Sequence, residues 1–445
     1  MRKSYNDSGL TAKRSYRLLT AGLTAILMAV SLALQAQDYF RLGERTINGT
    51  ARYVGMSGAM SAIGGDPSSA HDNPAGLGLY RRSEVTLSFD QALDYTWQPD
   101  AYKDRYNANI FSVPQASIVF SLPQNNKFQF SYRRLQSYRR TMYGVGKSDY
   151  SLGAVLNTLD VNWDIAFCTA TPNRAHDLKL VEAGMVHEYA FNWAINISDS
   201  WYVGAGLQVQ SYNLSADAIY QEDFAGGMYN SNKTTLFYSG VSTSLSAGLI
   251  YRPFEWLRLG VGLQTPSLGA MSISSTGELA SMTDSLRFSY APDQTYTERS
   301  VITQPLHLSS SVAFQIGAYG MVALQHDYYH QPKETDRHSL RAGIEVIPVL
   351  GFYINAGYAC ESTFKQDRVV AIDPTFNRQD TYFQMPQIAH YGSLALGYRG
   401  KYMMAQVAYQ YRRQQLNLYA HEYVAPYDLC ADTHRIVFTI GWHRY

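Results

Sequence analysis

Two of the Tyr-Arg-Arg triplets in this chain of 445, the closely spaced Tyr132-Arg133-Arg134 and Tyr138-Arg139-Arg140, are the residues best suited to chemistry. A guanidinium grips a carboxylate through two parallel hydrogen bonds, so a cluster of them suits an anionic head group. A little further on, Leu152, Val155, Leu156 and Leu159 recur at i, i+3, i+4 and i+7, the spacing of one helix face. That face would bind hydrocarbon by buried area. Arg133, Arg134 and Arg139, with those four apolar residues, are the expected ligand contacts. Arg133 shares strand phase with Gln129 and Ser131, which places it on the polar side of its element.

Other chemical patterns fail on inspection. Gly144-Val145-Gly146-Lys147-Ser148 has the ending of a phosphate loop, but Thr141 stands where its first glycine belongs. His326 and His330 have helical spacing inside a strand-patterned segment, so they would not converge on one ion. His187-Glu188 and His421-Glu422 lack the second histidine of a zinc protease, and no Gly-x-Ser-x-Gly occurs. Cys168, Cys360 and Cys430 are odd in number and far apart, so they give neither a disulfide framework nor a metal knuckle. The expectation is a protein without catalysis, cofactor or metal.

The elements that position the arginines follow from composition and periodicity. Only 16% of residues are charged and the net charge is +1, which gives no field for nucleic acid. Tyrosines number 36 against 18 phenylalanines, with 33 glycines, a balance suited to an all-β chain with one greasy and one polar face. Arg2, Lys3, Lys13, Arg14 and Arg17 precede an apolar run from Leu18 to Leu34, so residues 1–36 are expected to be a signal peptide cleaved after Ala36. No second apolar span follows. Beyond residue 83 the chain alternates repeatedly. Met185, His187, Tyr189, Phe191, Trp193 and Ile195 face one way, and Val186, Glu188, Ala190, Asn192 and Ala194 the other.

Connections then distinguish a membrane barrel from a soluble sandwich. Short turns fall near 123–127, 198–200, 253–256, 317–320, 348–351 and 399–401. Longer links near 94–109, 140–183, 215–233, 270–305, 330–338, 361–387 and 414–432 alternate with them. Tight turns on one side and long loops on the other predict an antiparallel transmembrane β-barrel of about fourteen strands over residues 83–445. Tyr251, Trp256, Tyr328, Tyr329, Tyr398, Tyr402 and Trp442 are expected to form its aromatic girdles. The lumen face is expected to carry little charge. Residues 37–82 lack alternation and are crowded with glycine, which suits a segment packed inside the lumen.

Within that segment, Ala51-Arg52-Tyr53-Val54-Gly55-Met56-Ser57-Gly58-Ala59, Gly64-Gly65-Asp66 and Asn73-Pro74-Ala75-Gly76-Leu77 resemble the N-terminal hatch of the FadL/TodX family. Those proteins are outer-membrane transporters for long-chain fatty acids and aromatic hydrocarbons. Ser339-Leu340-Arg341-Ala342-Gly343-Ile344-Glu345 and Tyr353-Ile354-Asn355-Ala356-Gly357-Tyr358 are similar to a pair of the family's strands, with Ile354-Asn355 in place of the usual Arg-rich pair. The resemblance implies a Gram-negative outer-membrane barrel, hatched by Asn73, Pro74, Ala75, Gly76 and Leu77. It implies passive uptake of hydrophobic small molecules such as long-chain fatty acids, by a monomer set in lipid and lipopolysaccharide. Some similar barrels are cargo shuttles of the type IX secretion system, which is the alternative function; Gly76-Leu77 favours transport. A lipid hydrolase would need a serine beside His187 or His390, which lie in lipid phase, and none pairs with them.

Overall fold

The computed structural model describes residues 45–99, 106–123, 125–146, 176–282, 287–290, 296–331, 336–363, 371–373, 378–380, 383–420 and 424–444. The expected signal peptide, the helix face of Leu152, Val155, Leu156 and Leu159, and Cys168 and His421 lie outside the described residues.

The first strands are β1 (Ser83–Trp97), β2 (Tyr106–Ser121), β3 (Asn126–Ser137, resuming at Arg140–Gly146), β4 (His176–Asn196) and β5 (Trp201–Asp223). Next come β6 (Tyr229–Phe254), β7 (Leu257–Gln264 and Ser267–Met282) and β8 (Arg287–Tyr290, Tyr296–Gln304 and Leu306–Ile316). The chain ends with β9 (Gly320–His330), β10 (Arg337–Val349), β11 (Phe352–Glu361), β12 (Phe383–Arg399), β13 (Met403–Tyr419) and β14 (Tyr427–Arg444). Both parts of β3 pair with β4, both parts of β7 with β6, and the three parts of β8 with β7. The sheet therefore has fourteen antiparallel strands, and β1 pairs with β14 from Ser83↔Arg444 to Trp97↔Cys430 to close it. Closure satisfies backbone groups that lipid cannot.

All six short turns fall where the sequence places them. Three of the expected long links do not: 215–233, 270–305 and 414–432 are largely strand, the outer parts of β5 to β8 and of β13 and β14. Their alternation persists with reversed polarity. On β5 the lower part turns Gly204, Gln208 and Gln210 inward, whereas the upper part turns Tyr212, Leu214, Ala216, Ala218 and Tyr220 inward and Asp217 and Gln221 outward. A strand that has left the lipid has no need of an apolar outer face, so its polar look suggested loop. At about 3.3 Å per residue and a tilt near 40°, the 23 residues of β5 stand roughly 60 Å tall, well above an apolar band of about 25 Å.

Phe130, Phe191, Leu207, Leu245, Leu263, Leu324, Leu340 and Phe438 are exposed on the outside, as a lipid-facing wall requires. Trp256, Tyr398, Tyr402 and Trp442 ring the turn end, and Trp201 stacks on Tyr251 at 4.2 Å. Tyr329 departs from the expected girdle. It is 1% exposed and stacks on His307 inside the barrel, because it neighbours the outward Tyr328 and successive strand residues face opposite ways.

Residues 45–80 run inside this ring. The short helix α1 (Ala51–Gly55) starts at Thr50, whose side chain accepts from Tyr53 N. A second turn, Pro74–Leu79, starts at Asn73, with Pro74 pre-set for the first helical position. The segment bonds to the wall on many sides. Ala51 N donates to Thr439 Oγ1 (2.8 Å) on β14, and Met60 N and Ser61 N donate to Gln325 Oε1 (3.1 and 3.0 Å) on β9. Gln129 on β3 donates to the Pro67 carbonyl at 2.8 Å.

Wall glycines make room for it. Gly204, Gly248 and Gly262 are cross-strand partners on β5, β6 and β7, and form one row beneath Asp72 to Ala75. A Cβ on Gly248 would lie 2.8 Å from Pro74 Cδ and overlap Asn73 Oδ1. Gly343 and Gly357, paired on β10 and β11, do the same under Met56.

Candidate functional site

The lumen has three levels. At the lowest, buried ion pairs tie residues 45–80 to the strands. Arg52 donates from Nε and Nη2 to Glu345 Oε2 and Oε1 (2.6 and 2.8 Å), and Asn355 donates to the same carboxylate at 3.0 Å. Arg341 reaches Asp327 (3.1 Å), Glu361 (3.3 Å) and Asp72 (3.7 Å), while Tyr53 Oη donates to Asp72 at 2.5 Å. His71 Nδ1 lies 2.7 Å from Glu188, and its Nε2 lies 3.2 Å from Ser131 Oγ. Burial, and then the Arg133 guanidinium, hold His71 below its ordinary range, so the neutral ring donates to Glu188. The expectation of a weakly charged lumen is thus corrected. Charge is present, but it is interspersed with Gln and Ser and is paired between strands or with residues 45–80.

The middle level is a cavity of about 80 Å³ whose lining includes Arg134, Arg140, Arg412 and Arg435, with the carboxylates Asp94 and Asp432. Asp90, behind it, accepts from both Arg134 Nη2 (2.6 Å) and Arg435 Nε (2.7 Å). One carboxylate thus serves two guanidiniums. Arg134 Nε and Arg435 Nη2 are buried without a partner. Arg412 donates to Tyr391 Oη at 3.0 Å.

The upper level is apolar. Leu135, Tyr138, Leu180, Tyr212, Leu214, Leu236, Ile273, Leu418 and Leu429 belong to one buried cluster on the inner face of the tall strands. A lumen that is polar within the membrane band and apolar above it suits a molecule with a hydrocarbon tail and a polar head.

The expected ligand residues separate here. Arg133 faces inward, as its phase requires, but its Nη2 is 3.3 Å from Glu188, which also holds His71. Arg134 faces inward as well, because the β3–β4 register shifts between Arg134 and Gln136. Arg139 is exposed and does not line the cavity. The structure adds Arg140, Arg412 and Arg435. Arg435 alternates with Val437 and Thr439, a phase legible in the sequence. Of the motif residues 73–77, Asn73 Nδ2 donates to the Ser61 and Leu249 carbonyls (3.0 and 3.2 Å), and Leu77 packs with Tyr80, Val119 and Ala194. Outside, His187 and His390 bond to Tyr132 and Tyr358 (2.9 and 2.7 Å).

The barrel is also irregular between β2 and β3. β2 pairs with β3 only from Gln115↔Arg133 to Ser121↔Lys127, just below Pro114, which has no N–H to give. Above this point β3 turns aside, and the Gln98 side chain clasps Val145 through its N and O (2.9 Å each).

No protein-family model matches the chain, and no curated protein matches it by sequence. Solved structures do match in fold. A FadL homologue of Pseudomonas aeruginosa is 13% identical with a TM-score of 0.56, covering 90% of this chain and 99% of its own. The toluene transporter TodX of Pseudomonas putida is 12% identical with a TM-score of 0.55, at 90% and 99% coverage. The toluene transporter TbuX of Ralstonia pickettii is 12% identical with a TM-score of 0.54, also at 90% and 99%.

Proposed function

We propose that this chain is an outer-membrane channel for passive uptake of hydrophobic small molecules, and that its cargo is a long-chain amphiphile with a carboxylate head. The apolar cluster inside the outer end of the barrel carries this reading, because a water-filled pore would not line its mouth with leucine and tyrosine. The shared fold with hydrocarbon channels supports it. The tail would lie among Leu214, Leu236 and Leu418, and the head would meet Arg134 and Arg435 in the cavity below. Residues 45–80, including the Asn73–Leu77 hatch motif, would close the path until they shift.

Uptake across a lipopolysaccharide-coated outer membrane tests it, with radiolabelled laurate and dodecane offered to cells that carry or lack the protein. Both should enter faster where the wild-type protein is present. Failure of both, with a protein partner co-purifying instead, would replace uptake with the cargo-shuttle function.

A further inference from the structure

A second cavity, of about 590 Å³, opens at the turn end of the barrel beneath Gly64, Gly65 and Gly78. Five arginines line it: Arg52, Arg81, Arg252, Arg258 and Arg399. Two are already neutralised, Arg52 by Glu345 and Arg399 by Glu84 at 3.1 Å. The remaining three share the cavity with Asp199 and Glu255.

Arg258 is the informative one. Its Nη1 and Nη2 donate to neutral acceptors, the Ile63 carbonyl and Gln315 Oε1, both at 2.9 Å. Its Nε is buried without a partner. Among the described residues no carboxylate forms an ion pair with it, and the cation Arg252 shares its cavity. A half-buried cation repelled by its neighbours is costly unless something anionic completes it. Its contact with Ile63 also ties it to the segment that fills the lumen, so an anion held here sits where cargo would leave.

We infer that this mouth is an exit site for the carboxylate head of the cargo, received by Arg258 with Arg252 and Arg81. The identity of the ligand rests on the uptake reading above. A carboxylate passed from Arg134 and Arg435 would find here the next uncompensated cation, and open water beyond it.

The test uses the full chain in zwitterionic nanodiscs with a diazirine-tailed octanoate, its cross-links mapped by mass spectrometry. Cross-links are expected on peptides spanning 78–82 and 252–258, competed by octanoate and not by octan-1-ol. Arg258→Gln should weaken that competition about tenfold, as loss of one charge-assisted hydrogen bond predicts. Arg258→Gln also loses the Ile63 contact, so Arg252→Gln, whose described hydrogen bond is within its own turn to the Glu255 carbonyl at 3.4 Å, is the second variant. It should weaken competition severalfold while heat-modifiable mobility on gels stays that of the wild type. Absence of cross-links at the mouth, or equal competition by octan-1-ol, overturns the exit site. Competition by inorganic phosphate as strong as by octanoate overturns its assignment to cargo. Any of these results can coincide with normal dodecane uptake, which separates them from failure of the proposed function.

Discussion

Replacing Gly248 with alanine should loosen the lumenal segment while leaving the barrel whole. The new Cβ would sit 2.8 Å from Pro74 Cδ and 3.0 Å from Ala75 N, and would overlap Asn73 Oδ1. Ordinary carbon contacts lie near 3.5–4.0 Å, so the segment must retreat by roughly 1 Å. Overpacking of this kind costs about 1–3 kcal/mol. Retreat also strains the Asn73 bonds to the Ser61 and Leu249 carbonyls (3.0 and 3.2 Å), each contributing about 1 kcal/mol. The docked state should lose roughly 2–4 kcal/mol, a factor of about 30 to 1,000 in its population relative to undocked forms. The strand gains instead, because alanine in place of an interior glycine favours ordered backbone by about 0.5–1 kcal/mol. The assay is basal conductance of the full chain in planar bilayers, with heat-modifiable mobility on gels as the measure of barrel integrity. Gly392→Ala is the control, since a Cβ there meets nothing within 4 Å. Conductance should rise for Gly248→Ala and stay at the wild-type level for Gly392→Ala. Equal conductance in the two variants, both folded, would refute the reasoning. Loss of the folded barrel in Gly248→Ala would mean that the segment is a folding element.

Three further outcomes follow from the lumen. His71 has its proton affinity depressed when docked and regains an ordinary value near 6.5 when released, so docking weakens as pH falls below about 6.5. Basal conductance should therefore climb between pH 7.5 and 5, and His71→Gln should flatten the climb. Arg134→Gln should slow laurate uptake about tenfold or more and leave dodecane uptake nearly unchanged; equal losses would remove the carboxylate from the middle cavity. A cysteine placed at Asp217, on the outer face of the tall part of β5, should react with an impermeant maleimide on intact cells, whereas one at Ser200, in a short turn, should not; the opposite result would invert the topology.

Turn positions were legible because each pairs a break in alternation with Gly, Pro, Asn or Asp, as at Gly317 (φ 54°) and Gly351 (φ 89°). Strand number followed from them. The inner ion pairs were not legible, because partners such as Asp90 and Arg435 are 345 positions apart and meet only when the first and last strands close the barrel. Arg134 was placed with the ligand residues on composition, and its inward turn depends on a bulge at Leu135 that no local pattern announces. The upper apolar cluster was written in the sequence as a reversal of phase after Gln210, but a reversal resembles the end of a strand unless the strand is known to leave the membrane.

That reversal comes from composition and not from a bulge, since β5 and β6 pair without interruption from Trp201↔Tyr251 to Asp223↔Tyr229. Parity is therefore kept from the turn to the tip. Without a bulge, such a hairpin keeps its faces only if each strand gains or loses an even number of residues. A single inserted residue above Gln210 would turn Tyr212, Leu214 and Tyr220 to water and draw Asn213 and Asp217 inside. Unless a bulge intervenes, descendants of this sequence can vary the depth of the apolar cluster only in even steps.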